Sequence, residues 1–122
     1  MNNGNNSPLQ SIFDKNAASL RKGVIELAVM TICKQKPKYV AEIIADLETA
    51  GISVVEGTLY PLLSRLNKQK LMSYEWQESE QGPPRKYYTL TDDGESVLHN
   101  YHEDWNNLIK AINSLDQGVD NE

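Results

Sequence analysis

With 122 residues, 39% of them hydrophobic and a single cysteine, the chain is one domain's worth, able to bury roughly two thirds of its unfolded surface without a disulfide framework. Its net charge of −5 argues at first against nucleic acid as a partner, but residues 1–86 hold eleven of the twelve Lys and Arg against nine acids, while residues 87–122 hold Lys110 alone against eight. A basic or neutral body with an acidic end can still carry a local positive surface, and the lone Cys33, set in the run Val24 to Cys33, reads as a small buried hydrophobe.

Residues 1–8 are nearly all Asn, Gly or Ser and predict a disordered lead. Leu9, Ile12 and Phe13 fall at i, i+3, i+4 and predict a short helix over 9–18, too short to stand alone. Ser19 to Lys34 predicts the central helix, because its second half is apolar on nearly every side. That run carries Glu26 and falls short of the ~20 apolar residues a bilayer span needs, and no cationic leader precedes it, so a cytoplasmic protein is expected. Pro37 punctuates the chain, and a second helix follows from about Tyr39 to Thr49, with Ile43, Ile44 and Leu47 inward and Gly51 as its stop. Residues 52–55 predict a short extended piece.

The third helix starts near Glu56 to Thr58 and presents Leu59, Leu62, Leu63 and Leu66 on one face, with Pro61 admitted because first-turn amides have no intrahelical acceptor to lose. Its other face offers Thr58, Tyr60, Ser64, Arg65 and Lys68, polar or cationic groups suited to bases or phosphates, with Arg65 expected at a guanine edge and Lys68 at a phosphate. Met72, Tyr74 and Trp76 then alternate with polar residues, as do Tyr88 and Leu90 with Tyr87 and Thr89, which predicts an antiparallel hairpin. Pro83-Pro84 is expected at its loop, placing Arg85 and Lys86 at the tip, within reach of a phosphate backbone. Three short helices and a hairpin make a mainly α winged helix-turn-helix (α+β) over residues 19–90, with a two-stranded wing.

Thr91 suits the N-cap of a last helix over 91–115, and Asp92, Asp93 and Glu95 suit its positive end. Leu98, Tyr101, Trp105, Leu108, Ile112 and Leu115 recur at alternating spacings of three and four, a heptad seam that overshoots so small a domain and predicts a homodimer clasped by this helix, with residues 116–122 a flexible tail. His99 and Glu103 stand four apart, but a single pair lacks the three or four ligands of a zinc site; no phosphate loop or nucleophilic triad is present, and neither an enzyme nor a metal or other cofactor is expected. Tyr39, at a helix start, is a further candidate for a phosphate contact.

Two motifs in order, Glu56 to Leu66 and the run Glu78-Ser79 followed by Gly82 to Thr91, resemble the recognition helix and wing of the PadR family of bacterial transcriptional regulators, in its short branch with one C-terminal helix. The resemblance implies a dimeric repressor that binds double-stranded DNA at a pseudo-palindromic operator and is released by a small hydrophobic or aromatic effector. It implies that Trp105 lines an apolar pore at the dimer centre, while the residues alone read it as interface core. The chain departs from the family where Val40-Ala41 replaces the Gly-Tyr of a Tyr-Gly-Tyr-Glu pattern, and where Lys70 stands in place of a glycine after the recognition helix. A lysine there must either turn left-handed or change the turn. The rival class consistent with these departures and the acidic total is a winged-helix protein interaction module without specific DNA binding.

Overall fold

The computed structural model describes residues 8–118; residues 1–7 of the lead expected over 1–8 and the last four residues of the expected tail lie outside them, while Pro8 already opens the first helix. The element order is α1 (Pro8–Gln35), α2 (Val40–Thr49), α3 (Glu56–Lys68), β1 (Met72–Ser79), β2 (Gly82–Leu90) and α4 (Asp92–Gly118). Three helices, a two-stranded antiparallel hairpin and a long last helix form the expected winged helix-turn-helix. Among the described residues no helix is long and apolar enough to cross a membrane.

One boundary is corrected. The short helix expected over 9–18 and the helix expected from Ser19 are a single helix, α1, of 28 residues. Between them lies Asn16-Ala17-Ala18-Ser19, which contains no proline or glycine and two of the best helix formers, so nothing interrupts the hydrogen-bond ladder. The tail is corrected as well, since α4 continues through Asp116 to Gly118.

The core gathers Val29, Met30 and Cys33 of α1, Ile43 and Leu47 of α2, Leu59, Leu63 and Leu66 of α3, Met72 and Leu90 of the hairpin, and Leu98 of α4. The inward stripe of each helix meets a common centre, α1 contributing its last two turns. Cys33 is a buried, free thiol there, and burial pushes its pKa up to about 12. Ile44 and Leu62, expected inward, are half-buried at the margin.

Helix ends follow from local chemistry. The Tyr39 backbone, extended at φ −97° and ψ 169°, opens α2, and its N–H donates to Glu42 Oε1 at 3.3 Å. Gly51, with φ 94°, closes α2 as Ile52 N–H donates to Leu47 O at 2.8 Å and Gly51 N–H to Glu48 O at 2.9 Å, a Schellman ending. The same ending closes α3, with Leu71 N–H on Leu66 O and Lys70 N–H on Asn67 O, both at 3.0 Å. Here Lys70 takes the left-handed position, with φ 64°. Thr91 caps α4 as expected: its Oγ1 accepts from Gly94 N–H at 3.0 Å and donates to Lys70 O at 2.7 Å, tying the start of α4 to the end of α3. Gly94 packs so close to this junction that a Cβ on it would lie 2.0 Å from Leu71 O.

Candidate nucleic-acid interface

The hairpin carries the first part of the interface, and it differs from the expected one. The turn is Glu80-Gln81, and Pro83 and Pro84 lie inside β2. In the register Arg85 faces Gln77 and Ser79 faces Gly82, so β2 holds one extra residue between them. That irregularity in a strand with a free edge accommodates two residues that cannot donate to the ladder. Arg85 and Lys86 are therefore on the flank of the wing and not at its tip, Lys86 opposite Trp76 and Arg85 opposite Gln77.

The second part is the start of α2. Lys38 N–H donates to Tyr88 O at 3.0 Å and Tyr88 N–H to Lys38 O at 2.8 Å, so one antiparallel bridge sews the residue before Tyr39 to the wing. The Lys38 ammonium also meets Asp46 at 2.8 Å, and this hydrogen bond holds its pKa above the usual lysine value. The bridge brings the Tyr39 and Tyr87 rings edge to face at 5.3 Å, and the Arg85 guanidinium lies over the Tyr39 ring at 4.3 Å from its centre. On the neighbouring face the Lys86 ammonium lies 4.4 Å from the Tyr74 ring centre and 5.4 Å from that of Trp76. Each wing cation is thus held on an aromatic ring, which limits the freedom of its long stem and fixes where the charge sits.

The third part is the exposed side of α3. Tyr60 joins Tyr39, Glu56, Trp76, Arg85 and Lys86 around a groove of about 390 Å³ between the start of α2, the start of α3 and the wing. Tyr60 is half-exposed there and does not pack inward. Ser64 and Lys68 are exposed one and two turns further along α3. Four of the eight residues expected at DNA, namely Tyr39, Tyr60, Arg85 and Lys86, therefore meet in one groove.

Thr58 and Arg65 do not join them. Both border a hollow against α1 lined by Lys22, Ile25 and Glu26, because they sit on the side of α3 that crosses α1. The Arg65 guanidinium donates to Glu26 Oε1 and, at 3.3 Å, to Gln69 Oε1, while the other Glu26 oxygen accepts from Tyr101 Oη at 2.7 Å. The expected guanine reader is thus engaged in a bridge from α3 through α1 to α4. That hydrogen bond to Glu26, aided by burial, raises the Tyr101 pKa. Sequence reasoning missed the groove's Trp76 and Glu56; the alternation that placed Trp76 beside Tyr74 was readable, but the projection of the hairpin beyond the core was not.

Apart from this groove, α4 presents a long apolar stripe. Leu98, expected at the dimer seam, is fully buried against its own chain, and Tyr101 is half-buried on α1. The free part of the seam therefore begins near Trp105 and continues through the exposed Leu108, Ile112 and Leu115. In α1, Leu9, Ile12, Phe13 and Leu20 are exposed as well. Trp105 borders two hollows, one of about 340 Å³ between α1 and α4 and one of about 280 Å³ between α1, α4 and the end of α2. Thr31 Oγ1 and His102 Nε2, 3.2 Å apart, mark the second. His99 meets Glu103 at 3.3 Å on the exposed surface, and among the described residues no group of three or more potential metal ligands gathers.

The model of the transcriptional regulator PadR-like family matches residues 29–100. Among solved structures, a PadR-like transcription factor from Bacteroides fragilis is 46% identical, with 83% of this chain and 98% of that one covered at a TM-score of 0.70. A PadR family transcriptional regulator from Eggerthella lenta is 32% identical over 88% and 94% of the two chains, with a TM-score of 0.81. A PadR-like transcriptional regulator from Bacillus cereus is 36% identical over 81% and 97%, with a TM-score of 0.74.

Proposed function

Because the chain belongs to the PadR-like family of transcriptional regulators, we propose that it is a homodimeric repressor that occludes a promoter by placing two copies of α3 in successive major grooves of a pseudo-palindromic operator. The observation that carries this reading is the convergence of Tyr39, Tyr60, Arg85 and Lys86 on one groove beside the exposed Ser64 and Lys68 of α3. Ring-held cations next to a helix that projects polar side chains suit a phosphate backbone flanking a major groove. The acidic total does not oppose it, since Lys110 is the only cation after residue 86 and the acids of that region lie mainly on α4.

The dimer is supported by α4. A helix of 27 residues extends about 40 Å, further than the core it starts from, and leaves Leu108, Ile112 and Leu115 uncovered. A stripe of that size on a single chain signals a partner surface. A two-fold dimer predicts half-sites about one helical turn apart, roughly 34 to 36 Å, or a multiple of it. The hollows on either side of Trp105 supply a place for a flat apolar effector, which would release DNA by favouring a different separation of the two α3 helices.

The test is a gel-shift titration on the chain's own upstream DNA against a scrambled fragment at two salt concentrations. Preferential binding that weakens steeply with salt is expected. Equal, weak binding to both fragments would overturn the repressor reading in favour of a protein interaction module.

A further inference from the structure

Trp76 has no place in the core, yet the strand alternation puts it on the core-facing side of β1. Along that face Met72 is 1% exposed, Tyr74 is half-buried and Trp76 is 62% exposed, because the hairpin runs out past the helices that cover its base. An indole left this open is an unfavourable surface unless something covers it. Its cross-strand neighbour is Lys86, whose ammonium lies between the Tyr74 and Trp76 rings. Trp76 therefore does two things at once: it fixes a cation on one side and offers the rest of its ring to the groove shared with Tyr60 and Arg85.

We propose that Trp76 is a DNA-contacting residue of the wing, its ring lying against the sugar–phosphate backbone of duplex DNA while Lys86 beside it meets a phosphate. The chemistry favours this occupant over an apolar protein segment. The charged side chains of the groove are Arg85 and Lys86 against Glu56 alone, so the groove favours an anion. A deoxyribose offers the ring an apolar C–H surface, and the adjacent phosphate oxygens accept from the indole N–H and the ammonium together. Such a contact carries no sequence information and sets the position of the wing. The inference rests on the reading of the groove as a DNA surface and adds to it a residue that neither the cations nor α3 would indicate.

The experiment reads DNA binding with the unsubstituted full chain and indole quenching with its Trp105→Phe variant, which leaves Trp76 as the one tryptophan of the two in the sequence. A fluorescein-labelled duplex from the chain's own upstream region is titrated at low salt, where sequence-independent backbone contacts also bind. Anisotropy of the label reports DNA binding, and acrylamide quenching of the indole reports whether Trp76 is covered. The expected result is that saturation with DNA protects the indole from acrylamide. Trp76→Ala should weaken binding roughly five- to tenfold at an unchanged melting temperature, with part of the loss restored in Trp76→Phe. Normal anisotropy with undiminished acrylamide access, or a Trp76→Ala variant of full affinity, would overturn the inference and leave the function standing. No anisotropy change on any duplex would remove both.

Discussion

Lys70 holds a left-handed backbone, φ 64°, at the position that ends α3, where an L side chain crowds its own carbonyl. The conformation persists because its neighbours fix it: the two hydrogen bonds of the Schellman ending lie on one side, and Thr91 Oγ1 bound to Lys70 O lies on the other. Replacing Lys70 by glycine keeps all three and removes the strain, so Lys70→Gly should raise unfolding free energy by about 1 kcal/mol in urea titrations. DNA affinity is a separate matter, since Lys70 lies outside the groove. The alternatives at this residue were legible in the sequence, which shows a lysine where a helix must stop. The choice between them was not, because it depends on Thr91, 21 positions away.

At the scale of the element, α3 divides its polar residues between two tasks. One side turns Tyr60, Ser64 and Lys68 outward, and the other turns Thr58 and Arg65 to α1. The helical period places five polar residues away from the leucines, but it does not say which neighbour the edge of that face meets. This predicts different consequences for two cations three positions apart. Lys68→Ala should weaken DNA binding across sequences and lower the salt slope by about 0.9, the share of one phosphate. Arg65→Ala should leave that slope nearly intact and lower stability by about 1 kcal/mol, because its loss opens the bridge to Glu26 at a partly exposed site. Salt-dependent anisotropy and urea titration on both variants separate the two effects. The wing illustrates the same limit. Pro83 and Pro84 are loop residues by propensity, yet a free edge and one extra residue in β2 let them stay in the strand and move Arg85 and Lys86 from tip to flank.

For the whole molecule, two surfaces remain open: the groove proposed for DNA, and the apolar stripe of α4 with the exposed Leu9, Ile12 and Phe13 of α1. If a second copy covers that stripe, Ile112→Asp should yield a folded monomer by sedimentation and lose most operator affinity, since each monomer would then hold a single half-site. The fold also carries an alkaline limit. Burial raises the pKa of Cys33 and of Tyr88, the Glu26 hydrogen bond raises that of Tyr101, and the Asp46 hydrogen bond raises that of Lys38. In each case the native state keeps a proton that the unfolded chain releases at the ordinary value, 9.0 for the thiol, 10.0 for the tyrosines and 10.5 for the lysine. Their contribution to stability is therefore complete below those values and declines as pH rises through the folded ones. Urea midpoints should hold steady through neutral pH and fall from about pH 9 upward, and Tyr101→Phe should make the fall shallower.

The sequence by itself determined the order of the elements, the inward stripe of each helix, the stop at Gly51, the cap at Thr91 and the alternation of two aromatic-rich strands, because each depends on side chains within a few positions of one another. It also supplied the two motifs by which the family was recognisable. Only the tertiary structure decided that Leu98 belongs to the chain's own core, that Glu26 draws Arg65 toward α1 and away from the groove, and that Trp76 stands open beside Lys86. Each of these depends on which helix or strand lies across from a residue, and periodicity fixes the direction of a side chain but not what it meets.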